Sequence, residues 1–167
     1  MEGYCSPYND QFEYRSILDF PIEEIHRLMI PFLDDISAPD PLARAGTDFS
    51  WLIEHAGTAF DPEYWYVASL NSDPAGVVYP QLLEDRRWDD GSIWHIGVLT
   101  EFRGRGYGKI LHARGLETLR ALGAKKNVGS TEVENSRMLR VFQANDCNIL
   151  FARFIQEFDN GCGRELD

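Results

Sequence analysis

The segment with the clearest chemical potential is a glycine-rich loop that follows an apolar stretch and precedes a helical one. Three glycines alternate with other residues in it, and three cationic side chains accompany them. Glycine lets the backbone approach a phosphate without a Cβ in the way, and the free N–H groups of a helix's first turn point at such an anion. The spacing therefore predicts a phosphate cradle with added positive charge. The loop consists of Arg103, Gly104, Arg105, Gly106, Tyr107, Gly108 and Lys109.

Two well-known phosphate-binding patterns do not match this loop. A P-loop requires a lysine followed by Ser or Thr, whereas Lys109 is followed by an isoleucine. A dinucleotide fingerprint requires a third glycine five residues after the first, and Lys109 stands at that distance from Gly104. The pattern that remains is Arg-x-x-Gly-x-Gly, formed by Arg103, Gly106 and Gly108.

This pattern, placed after an apolar segment, resembles the pyrophosphate loop of the GNAT superfamily of acyl-CoA-dependent N-acyltransferases. A second segment, from Asn135 to Phe142, resembles the family's Asn-x-x-Ala/Met-x-x-x-Tyr element, which opens its last helix. The likeness covers roughly residues 60–158 in the order of elements, and its specific motifs lie within 93–111 and 135–142. A glycine turn that only caps a helix is the alternative interpretation.

The resemblance implies a set of acyl-CoA contacts. The loop would hold the pyrophosphate, and Asn135, which is also a good helix N-cap, would bond the pantetheine arm. A backbone N–H from the strand before the loop would polarise the acyl carbonyl. The family often has a Tyr where this chain has Phe142, and that Tyr protonates the leaving thiolate, which Phe cannot do. The implied binding residues are Ile96, Gly97, Val98, Arg103, Gly104, Arg105, Gly106, Tyr107, Gly108, Lys109, Asn135 and Phe142.

Acylation of an amine also needs a group that removes a proton from the attacking nitrogen. Glu132 lies near the end of a predicted strand and close to Asn135, where some family members hold a general base; a solvent-facing strand residue is the alternative. His95 is expected to alternate away from Trp94 along its strand, which favours a structural role. Cys147 has no neighbouring His that could activate it, which argues against a nucleophile. Glu132 is therefore the catalytic candidate.

The elements that must position these residues follow the order βαα-βββ-α-β-α-β. This order predicts an α/β (α+β) fold of the GNAT type, with a mixed, mostly antiparallel sheet of six to seven strands and about four helices. The last strand is expected to be short or absent. Pro31 should kink or end the first helix, and Pro80 suggests an edge or a bulge in the third strand. The predicted strands are Glu13–Leu18, Tyr64–Leu70, Ala75–Leu83, Ser92–Thr100, 127–133 and 148–158. Two helices have start signals at Asp19–Pro21 and Asp40–Pro41, and two further helices are predicted over Gly106–Leu122 and Ser136–Asn145.

Composition argues against several classes of protein. The 167 residues suit one domain, 1–167, and a hydrophobic content of 44% is enough for a packed core. No apolar run approaches the ~18 residues of a membrane span, and the first residues lack a signal-peptide pattern. The cysteines, Cys5, Cys147 and Cys162, lack metal-ligand spacing, so neither a metal site nor a disulfide framework is expected. A soluble cytoplasmic protein is the expectation.

The formal net charge of −11 is distributed unevenly. Residues 1–85 carry three basic and sixteen acidic residues, whereas residues 86–140 carry eleven basic and six acidic ones. This balance argues against nucleic acid as a partner. The acidic first half favours a cationic acceptor amine, either a small molecule or a peptide. Arg86 and Arg87 could equally bind a carboxylate.

Three hypotheses about function remain open. The leading one is an N-acetyltransferase that passes an acetyl (acyl) group directly from acetyl-CoA to a primary amine in a ternary complex. The second is a GNAT-fold acyl-CoA binder or sensor that has lost catalysis, which Phe142 favours. The third is an α/β interaction domain with a fortuitous glycine loop. No membrane partner is expected, and a homodimer is left open.

Overall fold

A computed structural model describes residues 11–33, 39–83 and 90–148 of the chain. The strand predicted over 148–158, together with Arg86 and Arg87, therefore lies essentially outside the described residues. None of the helices within those three ranges is long and apolar enough to cross a membrane.

The sheet has five strands in the described part of the chain, and they lie side by side in chain order. The first three pairings are antiparallel and the last is parallel, which confirms the mixed, mostly antiparallel sheet. Six to seven strands were predicted, and the sixth falls outside the described ranges. The strands are β1 (Glu13–Ser16), β2 (Tyr66–Leu70), β3 (Asp73–Leu82), β4 (Asp90–Val98) and β5 (Lys126–Asn127).

Four α-helices cover the sheet, as predicted, and their ends follow from local sequence signals. The Asp40 carboxylate accepts a bond from the backbone N–H of Ala43 at 3.0 Å, which caps the second helix beside its first-turn proline. The first helix passes into a 3₁₀ turn, Ile30–Phe32, at the predicted Pro31 break. The helices are α1 (Ile22–Met29), α2 (Pro41–Ala56), α3 (Tyr107–Ala121) and α4 (Ser136–Ala144).

Two apolar cores lie on the two faces of the sheet. On the face of α1 and α2, the rings of Trp65 and Tyr79 are fully buried and stack with centroids 4.5 Å apart. On the face of α3, Leu111 is fully buried against the strands. A Cβ on Gly115 would lie 2.7 Å from the Ile93 side chain, so glycine is what allows α3 to approach β4 so closely.

A bulge interrupts the pairing of β4 with β3. Tyr79 pairs with His95 and Pro80 pairs with Ile93, so Trp94 is the extra residue. The prediction of a bulge or edge at Pro80 is confirmed, and the predicted alternation of His95 with Trp94 is wrong. Both side chains contact the α1–α2 side: the Trp94 indole donates to the Leu52 carbonyl, and the His95 ring meets a ring that follows α1.

The strand β5 is much shorter than the predicted 127–133. It pairs with only two residues of β4, Asp90 and Gly91, and the Val128 N–H then donates to the Gly91 carbonyl at 2.8 Å. Beyond this point the described chain leaves the sheet and continues as a loop to α4. One edge of β4 is consequently open from Ser92 onward, and a cleft separates it from the loop.

Candidate functional site

The glycine loop forms the predicted turn into α3. Gly104 and Gly106 have φ angles of 78° and 79°, a left-handed conformation that favours glycine. The helix begins at Tyr107, and its N-cap residue, Gly106, has no side chain that could bond the first-turn N–H groups. A Cβ on Gly104 would meet nothing within 4 Å, which leaves the loop's outer face open. This geometry is an anion-binding helix start.

The three cations of the loop have different surroundings. The Arg103 guanidinium donates from Nε to the Val98 carbonyl at 2.9 Å and from Nη2 to the Pro31 carbonyl at 3.2 Å. It therefore ties the loop to β4 and to the end of α1. Arg105 is exposed, with Cζ 5.9 Å from the centre of the Phe102 ring. Lys109 is half-buried in the first turn of α3.

A cavity of about 200 Å³ lies beside the open edge of β4. Its walls come from β4, α3, the loop after β5 and α4. Among the described residues, no Asp, Glu, Lys or Arg lines it. The lining residues are Ile93, Trp94, His95, Ile96, His112, Asn127, Gly129, Ser130, Thr131, Asn135, Met138 and Phe142.

Two histidines border this cavity: His112 is buried, and His95 is half-buried. The side chain of His112 is inaccessible to solvent, and neither of its ring nitrogens has a hydrogen-bond partner in the described chain. The Nε2 atom of His95 is also buried and unpartnered, and its ring lies 5.4 Å from that of Phe32 and 5.7 Å from that of Tyr79. Burial lowers the pKa of each histidine from 6.5 to about 4, so both are neutral at pH 7.

The second predicted motif forms one wall of the cavity. The Asn135 Oδ1 accepts from the Met138 N–H at 3.0 Å, which makes Asn135 the N-cap of α4 as well as a lining residue. The Phe142 ring meets the His112 ring edge-on, with centroids 5.4 Å apart. The motif is therefore placed against the helix that carries the glycine loop.

Asn145, which was not among the predicted site residues, joins α4 to α3 through its side chain. Asn145 Nδ2 donates to the carbonyls of Lys109 and Val141, at 3.1 and 3.0 Å. A Cβ on Gly108 would lie only 3.2 Å from Val141 Cγ2, so the two helices are close here. The signal in the sequence is the asparagine directly after the predicted last helix, because an Asn side chain at a helix end often bonds nearby backbone carbonyls.

The remaining predicted residues lie around these two features. Ile96 lines the cavity, whereas a Cβ on Gly97 would overlap the Phe32 ring, so this glycine allows that ring to pack on β4. Val98 is linked to the glycine loop, because its carbonyl accepts the bond from Arg103 Nε. Glu132 is exposed in the loop after β5, not near a strand end as predicted, and it directly follows the lining residue Thr131.

The Cys147 thiol has no feature of a nucleophile. Burial, and then the nearby Asp146 carboxylate, raise the pKa of this thiol above its ordinary value. A raised thiol pKa reduces the reactive thiolate at neutral pH. Among the residues that the structure describes, no cluster of His, Cys, Asp and Glu could hold a metal ion.

A glycine-rich loop at a helix start, and a cleft along the open edge of the strand before it, are the two features of the described site. The chain belongs to the GNAT acetyltransferase family, whose model matches residues 24–145. A search of curated protein sequences finds no match.

Solved structures share the fold at low sequence identity. AAC(6')-Iy in complex with the bisubstrate analogue CoA-S-monomethyl-acetylneamine is 18% identical with a TM-score of 0.59, covering 89% of this chain and 98% of that one. The ribosomal-protein-alanine N-acetyltransferase of Brucella melitensis biovar Abortus 2308 is 16% identical with a TM-score of 0.60, covering 88% and 99%. An aminoglycoside acetyltransferase from an uncultured soil metagenomic sample, in complex with sisomicin, is 17% identical with a TM-score of 0.56, covering 89% and 95%.

Proposed function

We propose that this protein is an N-acetyltransferase that transfers an acetyl group from acetyl-CoA to a primary amine, directly and in a ternary complex. The observation that carries the proposal is that α3 carries the glycine loop at its start and contributes His112 to the wall of the cavity beside β4. Family membership gives the reaction class. Acetyl-CoA enters as a substrate, and no metal takes part in the proposed step.

The residues of the site suit the chemistry of acyl-CoA. The start of α3, which has no side-chain cap, and the nearby cations Arg105 and Lys109 suit a pyrophosphate and a further phosphate. The cavity combines apolar side chains with unpartnered polar atoms, such as Asn127 Oδ1 and the His112 nitrogens, which suits an arm that carries amide groups. The open edge of β4 at Ile96 offers backbone N–H groups for the acyl carbonyl.

The proposed acceptor is a cationic amine, either a small molecule or a peptide. The strongest support is electrostatic, because the first 85 residues carry sixteen acidic against three basic side chains. Carboxylates on α1 and α2, including Glu23 and Asp48, belong to this excess. The fold relative crystallised with sisomicin is an aminoglycoside acetyltransferase, which is compatible with such an acceptor.

Glu132 remains the proposed general base, acting through water. Its carboxylate is exposed, and the preceding residue, Thr131, lines the cavity. Water at the mouth of the cavity can therefore carry a proton from the attacking nitrogen to this carboxylate. The exposure of Glu132 and the ring of Phe142, which has no hydroxyl, favour a second candidate, an acyl-CoA binder without catalysis. Release of free CoA thiol in the presence of a panel of primary amines distinguishes the enzyme from the binder.

The phosphate cradle is tested by calorimetric titration of CoA into the wild type and Gly106→Trp. The indole would occupy the place of a phosphate oxygen, and losing two or three charge-assisted hydrogen bonds predicts at least a ~100-fold weaker Kd. Gly123→Trp is the matched control: Gly123 also has a positive φ, 94°, with nothing within 4 Å of its Cβ position, but it lies after the far end of α3. It should bear similar backbone strain and keep its affinity for CoA.

Two results would contradict the proposal. If the wild type does not bind CoA at millimolar concentration, both the enzyme and the binder are wrong. If Gly106→Trp binds CoA as tightly as Gly123→Trp, the cradle is not at α3. Because the Gly106 Cβ position meets only the Lys109 Cε, at 3.6 Å, the variant should remain folded, which its circular dichroism checks.

A further inference from the structure

The cavity beside β4 contains a fully buried polar side chain that the proposed steps do not yet use. The imidazole of His112 is inaccessible to solvent, and both of its nitrogens lack a partner in the described chain. Burying such a group without a hydrogen bond is unfavourable. The edge of one aromatic ring, that of Phe142, holds the imidazole in place at 72°. An oriented donor of this kind points to a ligand group that accepts from it.

The position of His112 along α3 relates it to the cradle. Six residues separate it from Gly106, a rise of about 9 Å along a helix. The same cavity extends along the open edge of β4 at Ile93 and Ile96. If the phosphates of acyl-CoA lie at the cradle, its arm can follow this edge and place the thioester end in the cavity. This step rests on the proposed function.

The cavity supplies no cation that could compensate a negative charge. None of its described lining residues is Asp, Glu, Lys or Arg, and both histidines are neutral at pH 7. When a thioester is cleaved by an amine, the electron pair of the C–S bond goes to sulfur. A fixed N–H donor in a site with little water stabilises such a charge far more than it would in bulk water. A neutral imidazole always carries one N–H.

We propose that His112 donates this hydrogen bond to the sulfur of the leaving CoA. The amine nitrogen bonds to the acyl carbon, the C–S bond breaks, and the electron pair stays on sulfur. The nitrogen releases one proton toward solvent, and the sulfur takes one from solvent when the thiol leaves. His112 keeps its own proton throughout, so it stabilises the thiolate and does not act as an acid.

The test measures the pKa of the CoA thiol while CoA is bound, which requires no acceptor amine. The ultraviolet absorbance of the thiolate is followed against pH in saturated protein, and a parallel titration with desulfo-CoA subtracts the protein's own groups. Bound to the wild type, the thiol should have a lower pKa than in free CoA. In His112→Leu it should rise by about 1–2 units, the value of one charge-assisted hydrogen bond. His112→Gln, which keeps an N–H donor, should retain part of the shift.

Two further variants separate a chemical role from a packing role. His55→Leu, at an exposed histidine on α2 that does not line the cavity, should leave the thiol pKa unchanged. The Phe142 ring ends next to Gly129: its Cζ atom lies 3.3 Å from the position that a Cβ on this glycine would take. The hydroxyl added by Phe142→Tyr would therefore lie in the cavity wall, beside a residue that has no side chain. Added to His112→Leu, this hydroxyl should restore part of the pKa shift. Once an acceptor is known, His112→Leu should lower kcat about 10- to 100-fold with a nearly constant KM for acetyl-CoA.

The outcomes for the inference and for the proposed function are distinct. Binding of CoA to the wild type with the thiol pKa of free CoA overturns the role of His112 and leaves the acetyltransferase proposal intact. An unchanged thiol pKa in a folded His112→Leu overturns it as well. Absence of CoA binding overturns both. Should His112→Leu not fold, the wild-type shift and the His112→Gln value decide the question.

Discussion

Arg103 shows how one side chain can serve both the loop and the scaffold. Two of its guanidinium donors are bonded to backbone carbonyls, of Val98 on β4 and of Pro31 after α1. Phe32, next to that proline, packs against Gly97 and the His95 ring. The glycine loop and the segment after α1 are therefore joined through one residue, and the motif's arginine positions backbone as well as adding charge.

At the same scale, Glu132→Gln tests the proposed base. Glutamine keeps the size of the side chain but cannot accept a proton at neutral pH. We expect kcat to fall roughly 10- to 1,000-fold, while the Kd for CoA changes little because Glu132 lies outside the cavity lining. Kinetics with the best amine of the panel and calorimetry with CoA measure the two quantities. Glu134→Gln, another exposed carboxylate in the same loop, is the control. If the pH–rate profile of Glu132→Gln matches that of the wild type, Glu132 is not the base, and water takes the proton without help from this carboxylate.

Single residues were the hardest part of the site to predict from sequence. The cations and glycines of the loop, and Asn135 with Phe142, carry recognisable spacing, and the structure places them on adjoining helices. His112 has no such signal, because a histidine next to the apolar Leu111 on a helix is as compatible with the surface as with a buried site. The orientation of His95 was predicted incorrectly, because an inserted residue shifts the period of two that strand predictions assume.

At the scale of elements, the two helices of the site are joined at their ends by Asn145. Its side-chain amide bonds a carbonyl on each helix, of Lys109 in α3 and of Val141 in α4. The first carbonyl lies in the first turn beyond the cradle. The placement of the α4 wall of the cavity relative to the glycine loop therefore depends partly on this amide.

Asn145→Ala is expected to loosen that connection. Leaving two carbonyls without the amide should lower the free energy of unfolding by about 1–3 kcal/mol. For a chain of this size the corresponding fall in Tm is roughly 2–12 °C. Because the cradle and the cavity wall lose a common support, affinity for CoA should fall severalfold as well. Differential scanning calorimetry and CoA titration measure both effects. Asn148→Ala, at an exposed asparagine three residues later, should change neither value; an equal loss there would assign the effect to the loop in general.

Helices and antiparallel strands were predicted well because their signals are local. Asp40 before Pro41, and Pro31 after an apolar stripe, determine helix ends through bonds within one turn, and the structure confirms both. The length of β5 depends on which partner lies beside it, and a segment rich in β-formers does not contain that information. The chain leaves the sheet after Asn127, and this departure is what opens the cavity. The cleft itself was therefore not predictable from residue patterns alone.

At the scale of the whole molecule, two neutral histidines in the interior link folding to pH. In the folded chain the pKa of His95 and of His112 is about 4, because burial disfavours the charged imidazolium, whereas in the unfolded chain it is near 6.5. Between these values the unfolded state binds more protons than the folded one. Stability is therefore fully present above about pH 6.5 and is lost as the pH falls toward 4.

The expected slope is about 1.4 kcal/mol per pH unit for each histidine, reached in the middle of that interval. Replacing His112 by Leu removes one of the two contributions, so the variant's free energy of unfolding should fall less steeply with acid than that of the wild type. The double variant with His95→Leu should be flatter still, and carboxylate titration, common to all three proteins, cancels in the comparison. Urea unfolding at half-unit steps from pH 7 to pH 4 gives the three curves. Parallel curves would mean that burial does not hold either imidazole neutral, and the cavity would then be open to water where the proposal places the acyl group.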